Sequence, residues 1–95
     1  MYRVKINLEA QETLDDLKRD NPIVYENVVK KINQIAEILE HNPNHCKPLK
    51  KPLSNFKRVH VNTSFVLIFK VDQTKKLMTI YAYEHHKKVY KKRWL

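Results

Sequence analysis

Apolar and polar positions along this chain change period several times, and each change marks an element. Tyr2, Val4 and Ile6 alternate with Arg3, Lys5 and Asn7, which predicts a short strand with one solvated face. From Leu8 to about Arg19 the spacing turns helical, with Ala10, Leu14 and Leu17 on one stripe, acids in the early turns and Asn7 placed to cap. Asn21-Pro22 restarts the chain as an N-cap followed by proline at the first helical position. A second helix then runs to about His41 on the stripe Val24, Val28, Ile32, Ile35 and Leu39. The tight link between the two predicts an antiparallel helical hairpin. Asn42-Pro43-Asn44 stops the second helix.

His45 to Asn55 holds Pro48, Pro52, Lys47, Lys50 and Lys51 and reads as an extended basic loop that can end in an edge strand. Phe56 to Asn62 alternates, Phe65 to Val71 is almost wholly apolar, and Leu77 to Glu84 resembles it. Turns at 62–64 and 72–76 join these segments into an antiparallel meander with a buried central strand. His85 to Leu95 has room for one or two helical turns, anchored by Val89, Tyr90 and Trp94. The expected fold is α+β in the order β-α-α-β-β-β: a helical hairpin packed on a small, mainly antiparallel twisted sheet, with a short C-terminal helical segment. At 95 residues we expect one domain spanning residues 1–95.

Charge adds direction to this outline. Residues 1–44 hold 6 Lys/Arg against 8 Asp/Glu, and residues 45–95 hold 13 against 2 (Asp72 and Glu84), which together give the net +9. The second half therefore projects a positive field suited to a polyanion, nucleic acid first. An apolar content of 42% fits a folded chain. The single Cys46 excludes an internal disulfide framework and suits a reducing, cytoplasmic setting. No apolar run reaches the ~18–20 residues of a membrane span, and the N-terminus lacks the apolar core of a signal peptide. With no glycine in the chain, Walker-type and Rossmann-type phosphate loops are excluded. Phosphate must be held by side chains and helix ends.

Arg58 and His60 share a strand face by their spacing of two. His86 lies past the last predicted strand, and Tyr90 sits one helical turn beyond it. If the last strand lies near the Arg58–His60 strand, these groups converge with the Lys47–Lys51 loop on one concave face. That set suits metal-free cleavage of RNA: an imidazole takes the ribose 2′-OH proton, another protonates the leaving oxygen, and cations hold the phosphoryl oxygens. Taken singly, each has a plainer reading: His60 as a strand residue, His85 and His86 as a strand end, and the Lys87-Lys88 and 91–93 runs as solvated charge. His41, His45 and Cys46, with His85-His86, form no CxxC or HExxH pattern, so no metal or other cofactor is expected.

The run KPLKKPLSNFKRVHVNTSFVLIFKVDQTKKLMTIYAYEHHKKVY resembles the C-terminal half of toxins in the RelE/ParE superfamily, and the element order extends the likeness over nearly the whole chain. It looks most similar to the YafQ-like branch. There His60 matches the histidine of the first meander strand, His86 the late histidine, Tyr90 the closing aromatic and Phe65 a tryptophan. Lys47 falls where that branch has another histidine, and the Lys47–Lys50 run looks like the superfamily's basic loop. The chain departs from the pattern at Ser64, where the branch has aspartate, and at Val66, where ordinary RelE toxins carry a phosphate-binding arginine.

The resemblance implies a RelE-like fold and a ribosome-dependent mRNA endoribonuclease of a type II toxin–antitoxin system. On that pattern His60, His86, Tyr90, Arg58 and Lys47 form the catalytic set. Lys50, Lys51, Lys57, Ser64, Phe65, Lys87 and Lys88 contact RNA or its phosphates, with Phe65 and Tyr90 positioned to stack on a base. Implied partners are a small acidic antitoxin, the ribosome and mRNA, and operator DNA for the toxin–antitoxin complex; no membrane is implied. Two rival expectations remain open at the level of sequence: a ParE-like inhibitor of DNA gyrase, and an RNA-binding homologue without activity.

Overall fold

The computed structural model describes residues 2–51 and 53–91. Strand β1 (Arg3–Ile6) leads into helices α1 (Leu8–Asp20) and α2 (Pro22–His41). Four strands follow: β2 (Lys47–Pro48), β3 (Lys57–His60), β4 (Phe65–Asp72) and β5 (Leu77–His85). A 3₁₀ helix, η1 (His86–Lys91), succeeds them. The expected α+β architecture is present, with helix boundaries set by the caps that the sequence suggests. The Asn7 side chain accepts the Ala10 N–H at 2.9 Å, and the Asn21 side chain accepts that of Val24 at 3.4 Å, each satisfying an otherwise orphaned donor.

The five strands form one sheet in the order β1-β5-β4-β3-β2. β1 runs parallel to β5, and all other pairs are antiparallel. The two-residue β2 opens the 45–55 connection instead of closing it, pairing Lys47 with Arg58 and Pro48 with Lys57. β3 is shorter than the expected Phe56–Asn62, because Asn62 leaves the ladder to build a turn. Its Oδ1 accepts the N–H groups of Ser64 (3.1 Å) and Phe65 (2.9 Å). The last strand does not lie beside the Arg58–His60 strand; β4 is inserted between them. Any meeting of His60 with the chain's tail therefore has to span β4.

Both faces of the sheet are covered, which explains the nearly continuous apolar runs of β4 and β5. The hairpin packs Leu14, Val28, Ile32, Ile35 and Leu39 on Leu67, Phe69, Met78 and Ile80. On the opposite face Leu49, Phe56 and Val89 cover Val66, Ile68 and Ala82. Each fully buried large side chain stabilises by roughly 1.5–3 kcal/mol. Without glycine, left-handed backbone falls to ordinary residues: Cys46 (φ 79°) after α2 and Lys76 (φ 50°) in the β4–β5 turn. A Lys76–Glu40 ion pair at 3.2 Å ties that turn to α2.

Candidate active site

Register sorts the predicted site residues onto faces. Arg58 pairs with Ile68 and His60 with Val66, both of which belong to the core on the helix-free face. Paired residues share a face, so Arg58 and His60 project there too, and Lys47 joins them as the partner of Arg58. Val66 pairs onward with Glu84, so His60, Val66 and Glu84 form one row across three strands.

His86 is brought to the same end by two features. Its N–H donates to the Ser64 carbonyl at 2.9 Å, closing the sheet beside the 62–64 turn. η1 then crosses onto the helix-free face, where Val89 is buried. The His86 pKa is pushed below its ordinary value, first by desolvation, then by His85, Lys87, His60 and Arg58. His60 and Arg58 thus lie within electrostatic reach of the ring although their strand is two removed. A lowered pKa leaves an imidazole neutral near pH 7, able to accept a proton, and makes its protonated form a stronger acid.

His85, which the sequence suggests only as a strand end, supports His86. The two rings stack at 4.7 Å, and His85 meets Phe65 edge-on at 5.5 Å. Its Nδ1 accepts the Lys87 N–H at 3.2 Å, which places the neutral ring's proton on Nε2. Asn62 was also missed as a site residue: besides forming the turn, its Nδ2 donates to the Tyr83 hydroxyl at 3.3 Å. An Asn-Thr-Ser sequence between two strands is the signal that exposes this role.

Two expected RNA contacts are turned away from this cluster. Lys57 pairs with Phe69 and shares the helix-side face, where its ammonium donates to the carbonyls of Pro43 (3.0 Å) and His45 (3.3 Å). Partial burial lowers its pKa. Phe65 also packs on the helix side, stacked on Tyr83 at 4.9 Å. Both placements have one cause, since alternation puts neighbours in a strand on opposite faces. Ser64 is half-buried beside the His86 N–H, while Lys50, Lys51, Lys87 and Lys88 are exposed around the helix-free face. The Tyr90 side chain lies outside the described residues.

A cavity of about 660 Å³ opens at the β2–β3 edge, lined among others by Asn44, His45, Lys47, Arg58 and His60. Cys46 also lines it, but burial raises its thiol pKa against the pull of Lys57 and Lys31, which keeps the sulfur protonated. A second groove of about 500 Å³ lies on the helix side, over Phe65 and Tyr83, and carries Asp16 and Asp20. Its charge is the wrong sign for phosphate. Among the described residues, no three of His, Cys, Asp or Glu gather as metal ligands, and no helix is long and apolar enough to cross a membrane.

The protein thus has a helical hairpin on one side of a five-stranded mixed sheet, two histidines at one end of that sheet, and cations on its other face. The sheet and helices superpose on the toxin–antitoxin complex RelBE2 of Mycobacterium tuberculosis with a TM-score of 0.70 at 21% identity, over 90% of this chain and 98% of that one. They superpose on the heterotetrameric YoeB–YefM toxin–antitoxin complex of Staphylococcus aureus with a TM-score of 0.66 at 19% identity, over 90% and 98%. The family model for the ParE toxin of type II toxin–antitoxin systems matches residues 4–90. A protein of Methanocaldococcus jannaschii named "Putative toxin RelE4" is 36% identical over 95 residues, covering 100% of this chain and 97% of its relative. The chain belongs to the RelE/ParE family of type II toxin–antitoxin toxins.

Proposed function

We propose that this toxin is an mRNA endoribonuclease that acts at the ribosome, with His60 and His86 as its acid–base pair. The carrying observation is that strand register and the His86–Ser64 closure bring both histidines to one end of the sheet, with Arg58 and Lys47 on the face of His60. One imidazole removes the proton of a ribose 2′-OH. The oxygen attacks the adjacent phosphorus and forms a 2′,3′-cyclic phosphate. The other imidazole gives a proton to the departing 5′ oxygen. Arg58 and Lys47 offset the charge that builds on the phosphoryl oxygens. The pattern resembles YafQ-like toxins, with lysine in place of one histidine and serine in place of aspartate.

The similar structures are toxin–antitoxin complexes, and we extend that to this chain: a cognate antitoxin covers the basic face and holds the toxin inactive. The test maps mRNA 5′ ends in translating extract. New ends within reading frames, absent with a His60→Ala/His86→Ala variant that still binds antitoxin, support the reading. Intact transcripts sink it.

The ParE description of the matching family model favours a second reading, inhibition of DNA gyrase. It makes no use of the imidazole pair. Gyrase-dependent DNA breaks, unchanged in the double histidine variant and accompanied by intact transcripts, would put this reading first.

A further inference from the structure

The helix-free face has a second cationic cluster, at the end away from the imidazoles. Lys5 pairs with Thr79 across β1–β5, and Lys70 pairs with the same Thr79 across β4–β5. The three therefore form one row on one face, with the lysines roughly 10 Å apart at two strand spacings. Arg3 lies one row further along, opposite Leu77. Thr79, Tyr81 and Lys70 line a hollow of about 440 Å³ together with Asp72, whose Oδ1 accepts the Lys75 N–H.

Lys70 is held in place. Its ammonium lies 4.5 Å from the Phe56 ring centroid and 5.4 Å from that of Tyr81, and these two rings meet edge-on at 5.1 Å. A half-buried lysine fixed by aromatic rings loses less freedom when it meets an anion. None of Arg3, Lys5 and Lys70 has a carboxylate partner among the described residues. Arg19, by contrast, bonds Asp16 and Asp20 within the helical hairpin. Helix α1 carries Glu9, Glu12, Asp15, Asp16 and Asp20 on the other side of the sheet. Arg3, Lys5 and Lys70 thus place positive charge, without a carboxylate partner among the described residues, on the helix-free side of the sheet.

We propose that Lys5, Lys70 and the intervening Thr79 form a second phosphate contact for single-stranded RNA, which extends the track away from the imidazole pair. The choice of RNA rests on the ribonuclease reading. The row itself uses neither histidine. It gives the toxin a hold on substrate beyond the cleaved linkage, and its contribution is electrostatic and independent of base identity.

The test measures binding of a short, uniformly 2′-O-methylated single-stranded RNA by fluorescence anisotropy across a salt series. With the attacking hydroxyl blocked, binding is read without cleavage. Lys5→Gln/Lys70→Gln is expected to weaken binding about tenfold, and to make the slope of log affinity against log salt shallower by about 1.4, for two lost phosphate contacts. Lys5→Gln alone changes an exposed edge-strand residue, keeps the Lys70 packing, and should produce about half that change in slope. The same losses are expected in a His60→Ala/His86→Ala background. Unchanged affinity and slope in the folded variants would overturn the proposal. Tighter binding of duplex DNA than of the RNA, equally reduced by the substitutions, would overturn RNA as the partner. Transcripts left intact by the unmodified toxin, with the RNA-binding loss still present, would remove the nuclease reading and leave the row standing.

Discussion

His60 and His86 reach the same end of the sheet although β4 separates their strands. His60 is paired with Val66 on β4, and the His86 N–H closes on Ser64, two residues before Val66. The site thus depends less on β3 meeting β5 than on the short 62–64 turn that links β3 to β4 and anchors the start of η1.

The geometry sets the titration of His86. Its ring should titrate below the ordinary value of 6.5, as read from NMR shifts of the imidazole carbons. Desolvation is the leading cause and nearby cations add to it, so Arg58→Gln should raise the midpoint, as should binding of RNA. In the unfolded chain this histidine binds its proton more tightly than in the folded one. Its contribution to stability is therefore complete above about pH 6.5 and is lost as pH falls through the lower, folded-state value. A His86 midpoint above 6.5 would contradict this account.

Asn62→Ala removes the acceptor for two backbone N–H groups and the donor to Tyr83. The expected cost is about 1–2 kcal/mol in urea unfolding. The Ser64–His86 closure should loosen too, so cleavage should fall by more than the loss of folded protein explains. Asn62→Asp keeps the acceptor oxygen and should recover most of the stability. Wild-type activity in a folded Asn62→Ala protein would remove the turn from the account of the site.

Lys57→Met keeps the length of the stem and removes the ammonium that bonds Pro43 and His45. We expect a loss of about 1 kcal/mol, with the half exposure of the group limiting the effect. RNA affinity and its salt slope should stay unchanged, because the ammonium is directed toward the end of α2. A shallower salt slope would return Lys57 to the RNA-binding surface.

Val66→Arg introduces the arginine that the resemblance to ordinary RelE toxins implies at this position, but Val66 is fully buried among Ile68, Ala82 and Val89. A guanidinium there loses its hydration and displaces the cover that η1 provides. The expected cost is about 3 kcal/mol or more in thermal or urea unfolding, with no gain in cleavage. A stable, more active Val66→Arg protein would show that the site follows the ordinary RelE arrangement instead.

Much of the fold was legible because its signals are local. Asn7 and Asn21 both cap as their positions suggest, and the stripes of α1 and α2 are the buried ones. The apolar runs of β4 and β5 are buried on both faces. The site was legible in part: Arg58 and His60 share a face because period two demands it. The family resemblance makes Lys57 and Phe65 RNA contacts, whereas the same period puts both on the helix side. His85 carried no sequence signal for its role, since stacking on His86 arises only where the strand gives way to η1.

The sequence by itself determined the order of elements, the acidic and basic halves and the kinship with RelE/ParE toxins, because caps, periodicity and charge are written within a few residues of where they act. Only the tertiary structure decided that β4 separates β3 from β5, that Lys57 bonds backbone carbonyls, and that Lys5 and Lys70 share a row across Thr79. Those facts depend on strand order and register, which are set by burying both faces of one sheet at once, and no local stretch of chain specifies that.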